Sequence, residues 1–170
     1  MKRMMFLILF FSLICFSVSA MDFSLGAGIY YHNFEISENI FGVMEVLLNF
    51  RGMFITDLFF NINETISIGP GIQFGYTTLN INDAESSRVD IVLRLQMETA
   101  FGVFSVIPYF GMSGIYNSNS GYSGASSFLD LYFEGGSKFV LSGFFADVSY
   151  LFGLNGIPHF KFGLGYQYNF

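Results

Sequence analysis

Asp90, Arg94 and Glu98 recur at intervals of four residues, and Asp130, Glu134 and Lys138 do the same. Side chains on a β-strand alternate between its two faces, so an interval of four keeps each set on one face. Asp147 and Lys161 fall on the polar faces of two later alternating segments. If that face is enclosed, these eight groups must find partners, because an unpaired buried charge is expensive. The pattern therefore points to an ion-pair network centred on Arg94 and Lys161. Such a network can plug or gate a lumen, or it can simply hold strands together. Its acids outnumber its bases, an excess that would suit a cation and a narrow pore.

Catalytic sets are poorer. His32 and His159 are the two histidines of the chain. A hydrolase would need one of them beside a serine and an acid. Asp147 and Ser149 share the polar face of the segment preceding His159, but nothing in the spacing brings them level with it. The His and Ser two apart on one strand, typical of lipid-A deacylases, is missing because position 161 is Lys. Two distant histidines and a single cysteine, Cys15, make no zinc site. The glycines follow strand periodicity and form no phosphate cradle. No cofactor is implied, and the chain does not read as an enzyme.

The elements that must position these groups follow from composition. The 170 residues are 52% hydrophobic and 20% aromatic but only 12% charged, against roughly 25% charged in ordinary globular chains. Residues 1–20, MKRMMFLILFFSLICFSVSA, have a basic start, a short apolar core and a small-residue end. That is the plan of a secretory signal peptide cleaved after Ala20, and the apolar core is too short for a membrane anchor. Ile14 before Cys15 argues against a lipobox. Residues 21–170 then form one domain with no cysteine, five basic residues and thirteen acidic ones. So acidic a chain excludes nucleic acid as a partner.

Beyond Ala20 the hydrophobic period is two, not 3.6, so strands are expected throughout. Alternation runs through residues 23–31, 50–61, 66–79, 88–100, 103–116, 128–140, 144–152 and 160–170. Residues 40–50 fit either an extension of the second strand or a short helical turn. Short connections at 61–65, 100–103 and 141–143 alternate with longer polar ones at 32–40, 79–87, 117–127 and 152–158. Pro70 and Pro108 sit inside strand patterns, a place proline tolerates only at edges, starts or bulges. In the last segment Phe160, Phe162, Leu164, Tyr166, Tyr168 and Phe170 alternate with Lys161, Gly163, Gly165, Gln167 and Asn169.

Eight alternating strands suit a soluble lipocalin-like ligand-binding barrel with its apolar face inside, or a membrane barrel with its apolar face outside. The polar faces here are mostly Gly, Ser and Gln, which fit a crowded interior better than a solvated surface. Tyr30, Tyr31, Tyr76, Tyr109, Tyr116, Tyr150, Tyr166 and Tyr168 fall near strand ends, where aromatic girdles meet headgroups. The expected fold is therefore all-β: an eight-stranded antiparallel up-and-down transmembrane β-barrel behind a cleaved signal peptide.

The leader, IPYFGMSG at 107–114, FEGGSKF at 133–139 and GLGYQYNF at 163–170 resemble the small eight-stranded outer-membrane barrels of diderm bacteria. That family includes the outer-membrane protein A-like transmembrane domains. The resemblance implies an outer-membrane location, contact with lipopolysaccharide or its equivalent, and a structural or cell-surface role. It also implies that Tyr166, Tyr168 and Phe170 form the C-terminal signal read by the barrel-assembly machinery. The polar connections HNFEISEN and NSNSGYSGASS would then carry any host or extracellular ligand.

Overall fold

The computed structural model describes residues 21–33, 50–81, 84–121 and 124–170. The expected leader, most of the HNFEISEN connection and the strand-or-helix stretch before Phe50 lie outside the described residues. Eight strands form: β1 Met21–Asn33, β2 Phe50–Asn61, β3 Ile66–Ile81, β4 Ala84–Phe101, β5 Phe104–Gly121, β6 Gly124–Leu141, β7 Phe144–Gly153 and β8 His159–Asn169. Each pairs antiparallel with its neighbours, and β8 returns to β1 to close the barrel. Closure leaves no sheet edge at membrane depth, which a hydrocarbon environment requires of any strand-built span.

The faces are inverted relative to a soluble barrel. On β8, Leu164 is 67% exposed and Lys161 only 1%. Ile29, Phe54, Leu95 and Phe110 point outward on other strands, while Arg51, Asp57, Gln73 and Glu134 are buried. The interior is less polar than the alternation suggests. Met53, Ile55, Phe59, Val92, Ile107, Val140 and Phe145 pack inside together with Tyr30. Tyr30 and Tyr109 are also interior, not girdle residues, because their positions share the inward parity of their strands. Tyr76, Tyr116, Tyr166 and Tyr168 do face outward.

The segments expected as connections at 79–87 and 117–127 are mostly strand. β3 and β4 stay paired out to Ile81 and Ala84, and β5 and β6 out to Gly121 and Gly124. Polar Ser, Asn and Gly residues carry no apolar period here, yet a backbone ladder in water needs none. Among the described residues β3 to β6 therefore make a taller wall than the other four strands. At its flank the outer part of β6 has no β7 residue opposite it beyond Tyr132. The turn after β7 fills part of that place. Leu154 N–H donates to Leu131 O at 2.8 Å, Leu131 N–H to Asn155 Oδ1 at 2.6 Å, and Asn155 Nδ2 to Leu129 O at 2.9 Å.

Both in-strand prolines are accommodated by ladder gaps. Pairing of β2 with β3 skips from Asp57↔Gly71 to Phe60↔Ile68, which leaves Pro70 without a partner on that side. Pairing of β4 with β5 skips from Gln96↔Tyr109 to Thr99↔Val106, across Pro108. On their other sides Pro70 faces Leu95 and Pro108 faces Ser137 in register. A residue without an N–H can sit in a strand when the missing donor falls at such a gap.

Two glycines are demanded by geometry. In the turn between β6 and β7, Ser142 has φ 51° and Gly143 φ 88°. Two consecutive positive φ values are the mark of a type I′ hairpin, which wants glycine. At Gly163 an added Cβ would lie 2.3 Å from Tyr30 Cε1, so the tyrosine ring rests on the bare backbone. Gly163→Ala is expected to destabilise the barrel by about 1–3 kcal/mol through overpacking. Gly52→Ala, with nothing within 4 Å of the added carbon, serves as the control. Urea unfolding of both variants in lipid vesicles checks this, and equal midpoints would refute it.

Candidate functional site

The lumen holds one continuous polar network to which all eight strands contribute. Its hub is the Asp147 carboxylate of β7. Tyr30 Oη donates to Asp147 Oδ2 at 2.8 Å from β1, and Tyr109 Oη to Oδ1 at 2.6 Å from β5. Arg94 of β4 reaches Oδ2 through Nη1 at 3.5 Å, and Gln73 of β3 through Nε2 at 3.4 Å. Arg94 also donates Nη2 to Asp57 Oδ1 of β2 at 3.0 Å, with its guanidinium 4.7 Å from the centre of the Tyr109 ring. Lys138 of β6 pairs with Asp57 Oδ2 at 2.5 Å and donates to Gln167 Oε1 of β8 at 2.7 Å.

Above this layer, towards the taller ends of the strands, Lys161 pairs with Glu134 and donates to Gln73 Oε1 at 3.3 Å. Ser149 Oγ donates to Glu134 Oε1 at 2.9 Å. A third layer holds Arg51, paired with Asp90, beside His32. His32 Nε2 lies 3.2 Å from Asp90 Oδ2, and His32 Nδ1 lies 3.0 Å from His159 Nε2. The Tyr132 ring meets His159 edge-on, centroids 5.2 Å apart.

Of the eight ionisable residues singled out by spacing, the structure places Asp90, Arg94, Glu134, Lys138, Asp147 and Lys161 in buried ion pairs. Glu98 and Asp130 do not join them. Glu98 lines an open recess of 360 Å³ at the short-turn end with Asp22 and Glu64. Asp130 is partly exposed at the hairpin end. Face parity placed both correctly inward, but it carries no height along the barrel axis. Two members went unrecognised: Asp57 and Arg51, on a strand where Phe54, Ile55, Phe59 and Phe60 blur the contrast between faces. Extending the period of two from Asp57 back through Ile55 and Met53 would have found Arg51.

With those two included, the buried charges among the described residues are four bases, Arg51, Arg94, Lys138 and Lys161, and four acids, Asp57, Asp90, Glu134 and Asp147. Among the described residues the buried lumen is thus balanced and not acidic, which removes the argument for a cation. Ser149 and Asp147 are not brought to His159. His159 stands opposite Leu151, whereas Ser149 stands opposite Lys161 and gives its hydroxyl to Glu134. Among the described residues no group of three or more His, Cys, Asp or Glu could hold a metal ion.

A closed eight-stranded barrel with an outward apolar belt and a charged, filled interior defines the small integral barrels of the outer-membrane type. Sequence comparison gives no matching family model and no matching curated protein. Solved structures do match. The attachment invasion locus protein Ail of Yersinia pestis, crystallised with the heparin analogue sucrose octasulfate, superposes with a TM-score of 0.59 at 13% identity. That match covers 88% of this chain and 97% of Ail. A major outer membrane protein from Thermus thermophilus gives 0.57 at 13% identity, covering 89% of this chain and 100% of that one. The shared property is the fold.

Burying an ion pair costs desolvation that only complete pairing offsets, and removing one partner typically costs about 3–5 kcal/mol. Asp57→Ala takes the carboxylate from Lys138 and the nearer of two carboxylates from Arg94, which keeps Asp147, and is expected to fall in that range. Glu98→Gln, at the open recess, is expected to change stability by less than about 1 kcal/mol. Equilibrium unfolding in vesicles compares them, and a silent Asp57→Ala would contradict the network's role.

Proposed function

We propose that this protein is a non-conducting outer-membrane barrel whose role is structural or lies in contacts made at the cell surface, without catalysis. The observation that carries this reading is the network through Asp147 and Asp57, which ties side chains from every strand across the lumen at mid-height. An eight-stranded barrel is only wide enough for its own side chains, and here they are cross-linked by charge. The apolar belt meets outer-membrane lipid, lipopolysaccharide in the outer leaflet. What remains for interaction is the taller wall of β3 to β6 and the connections beside it, adhesin-like in placement.

Charge narrows the kind of surface ligand. Of the seven basic residues, Lys2 and Arg3 lie in the expected leader and four are in the lumen. The seventh, Arg88, is engaged with Asn117. Ail was solved with a sulfated ligand, but a polyanion finds little to hold on this chain. A neutral or cationic partner fits better. Purified protein in planar bilayers at pH 7.5 is expected to give no conductance steps above baseline, and regular openings would overturn the closed-lumen reading.

Tyr166, Tyr168 and Phe170 project outward along the closing strand, and Phe170 N–H donates to Phe23 O at 2.8 Å. Aromatics presented this way suit recognition by the barrel-assembly machinery. Phe170→Ala is expected to lower the folded amount in the outer membrane of cells several-fold while leaving folding into detergent micelles unchanged. Equal loss in both settings would assign Phe170 to stability alone.

A further inference from the structure

The outer end of the seam between β1 and β8 is held by a contact whose chemistry depends on protons. His32, near the end of β1, stands opposite Lys161 of β8, and His159 opens β8. His159 Nδ1 lies 2.9 Å from Ile157 O. A carbonyl only accepts, so Nδ1 carries the proton, and in a neutral ring Nε2 is then an acceptor. His32 Nδ1, 3.0 Å away, must donate to it. That leaves His32 Nε2 as the acceptor for Arg51 Nη1 at 3.3 Å. The donors run in one direction, from Arg51 through both imidazoles to a backbone carbonyl, and both rings are neutral.

We infer that this pair is an acid-released latch on the barrel seam, which holds the outer ends of β1 and β8 together at neutral pH and lets them part on acidification. One proton can be housed by reversing the chain. His159 Nε2–H then donates to His32 Nδ1, and His32 Nε2–H turns to Asp90 Oδ2, 3.2 Å away. A second proton has no such home, because both nitrogens at the 3.0 Å contact would be donors. Among the described residues the cations around the pair outweigh the acids. Arg51 faces the pair from β2, Arg88 from β4 and Lys161 from β8 itself. Asp90 is already engaged by Arg51. β6 presents Tyr132 through its ring edge, with Asp130 partly exposed beyond it.

The sign follows from linkage. Parted histidines titrate near their ordinary value of about 6.5, while the closed pair cannot hold two protons. The latch is therefore intact above that pH and weakens as pH falls below it, the open population rising about tenfold per unit. The consequence lies at the surface, since the latch anchors the start of β8 directly after the 154–158 connection. This inference does not depend on a closed lumen. A barrel that conducted at neutral pH would leave it standing.

The test is backbone hydrogen exchange on the whole protein in phosphatidylcholine nanodiscs at pH 7.5 and 5.5, corrected for intrinsic exchange. Opening at the amides of Tyr31, His32 and Lys161 is expected to rise about tenfold in acid, with Gly102 and Gly143 at the opposite end unchanged. The double variant His32→Asn, His159→Asn should lose the acid response. A wild-type seam equally closed at both pH values, or both barrel ends loosening alike, would overturn the latch. So would a folded double variant that kept the response. If the variant does not fold, the wild-type comparison of the two ends decides alone.

Discussion

A carboxylate with four donors around it is the centre on which the rest of this molecule turns. Asp147 of β7 receives hydrogen bonds from β1, β3, β4 and β5, none of them its neighbour in the sheet, and it can do so only because eight strands enclose so narrow a space. The dependence is mutual. Hydrocarbon outside forces every backbone group into the ladder and every charge inward. Charges turned inward must then meet each other, or the barrel would carry unpaired ions in a low-dielectric interior. Balanced bases and acids are the outcome, and Tyr30, Tyr109 and Gln73 fill the gaps with neutral donors and acceptors.

That arrangement also explains the glycines and the inward apolar residues. A lumen crossed by arginine, lysine and tyrosine side chains has no room for a Cβ on every inward position, and Gly163 under the Tyr30 ring shows the limit. Between and beyond the charged layers, Met53, Ile55, Phe59 and Phe145 occupy space that polar groups could not fill without further pairing. Adjacent glycines and aromatics are thus two answers to one volume constraint.

The fold was legible in the sequence because its signal is local. Each strand announces itself by alternation, and the last does so over all eleven residues. The candidate site was legible only in part. Spacing tells which face a residue takes, so Asp90, Arg94, Glu134, Lys138, Asp147 and Lys161 could be grouped. Height along the axis depends on register between strands, which no single segment encodes. Glu98 and Asp130 share a face with the network yet sit beyond it. Arg51 and Asp57 were hidden for a different reason, on a strand apolar on both faces. The polar hairpin ends look like connections in the sequence because Ser, Asn and Gly carry no period, although a backbone ladder outside the membrane does not require one.

Asn155 has a consequence beyond its own turn. A tall wall standing clear of its neighbours is, in principle, a template on which another chain could lay a strand, and a crowded membrane offers many copies of the same template. The carboxamide of Asn155 occupies the donor of Leu131 and the acceptor of Leu129, the very groups an incoming backbone would seek. A single side chain thus imitates a peptide unit and keeps this stretch of the rim from recruiting its own kind.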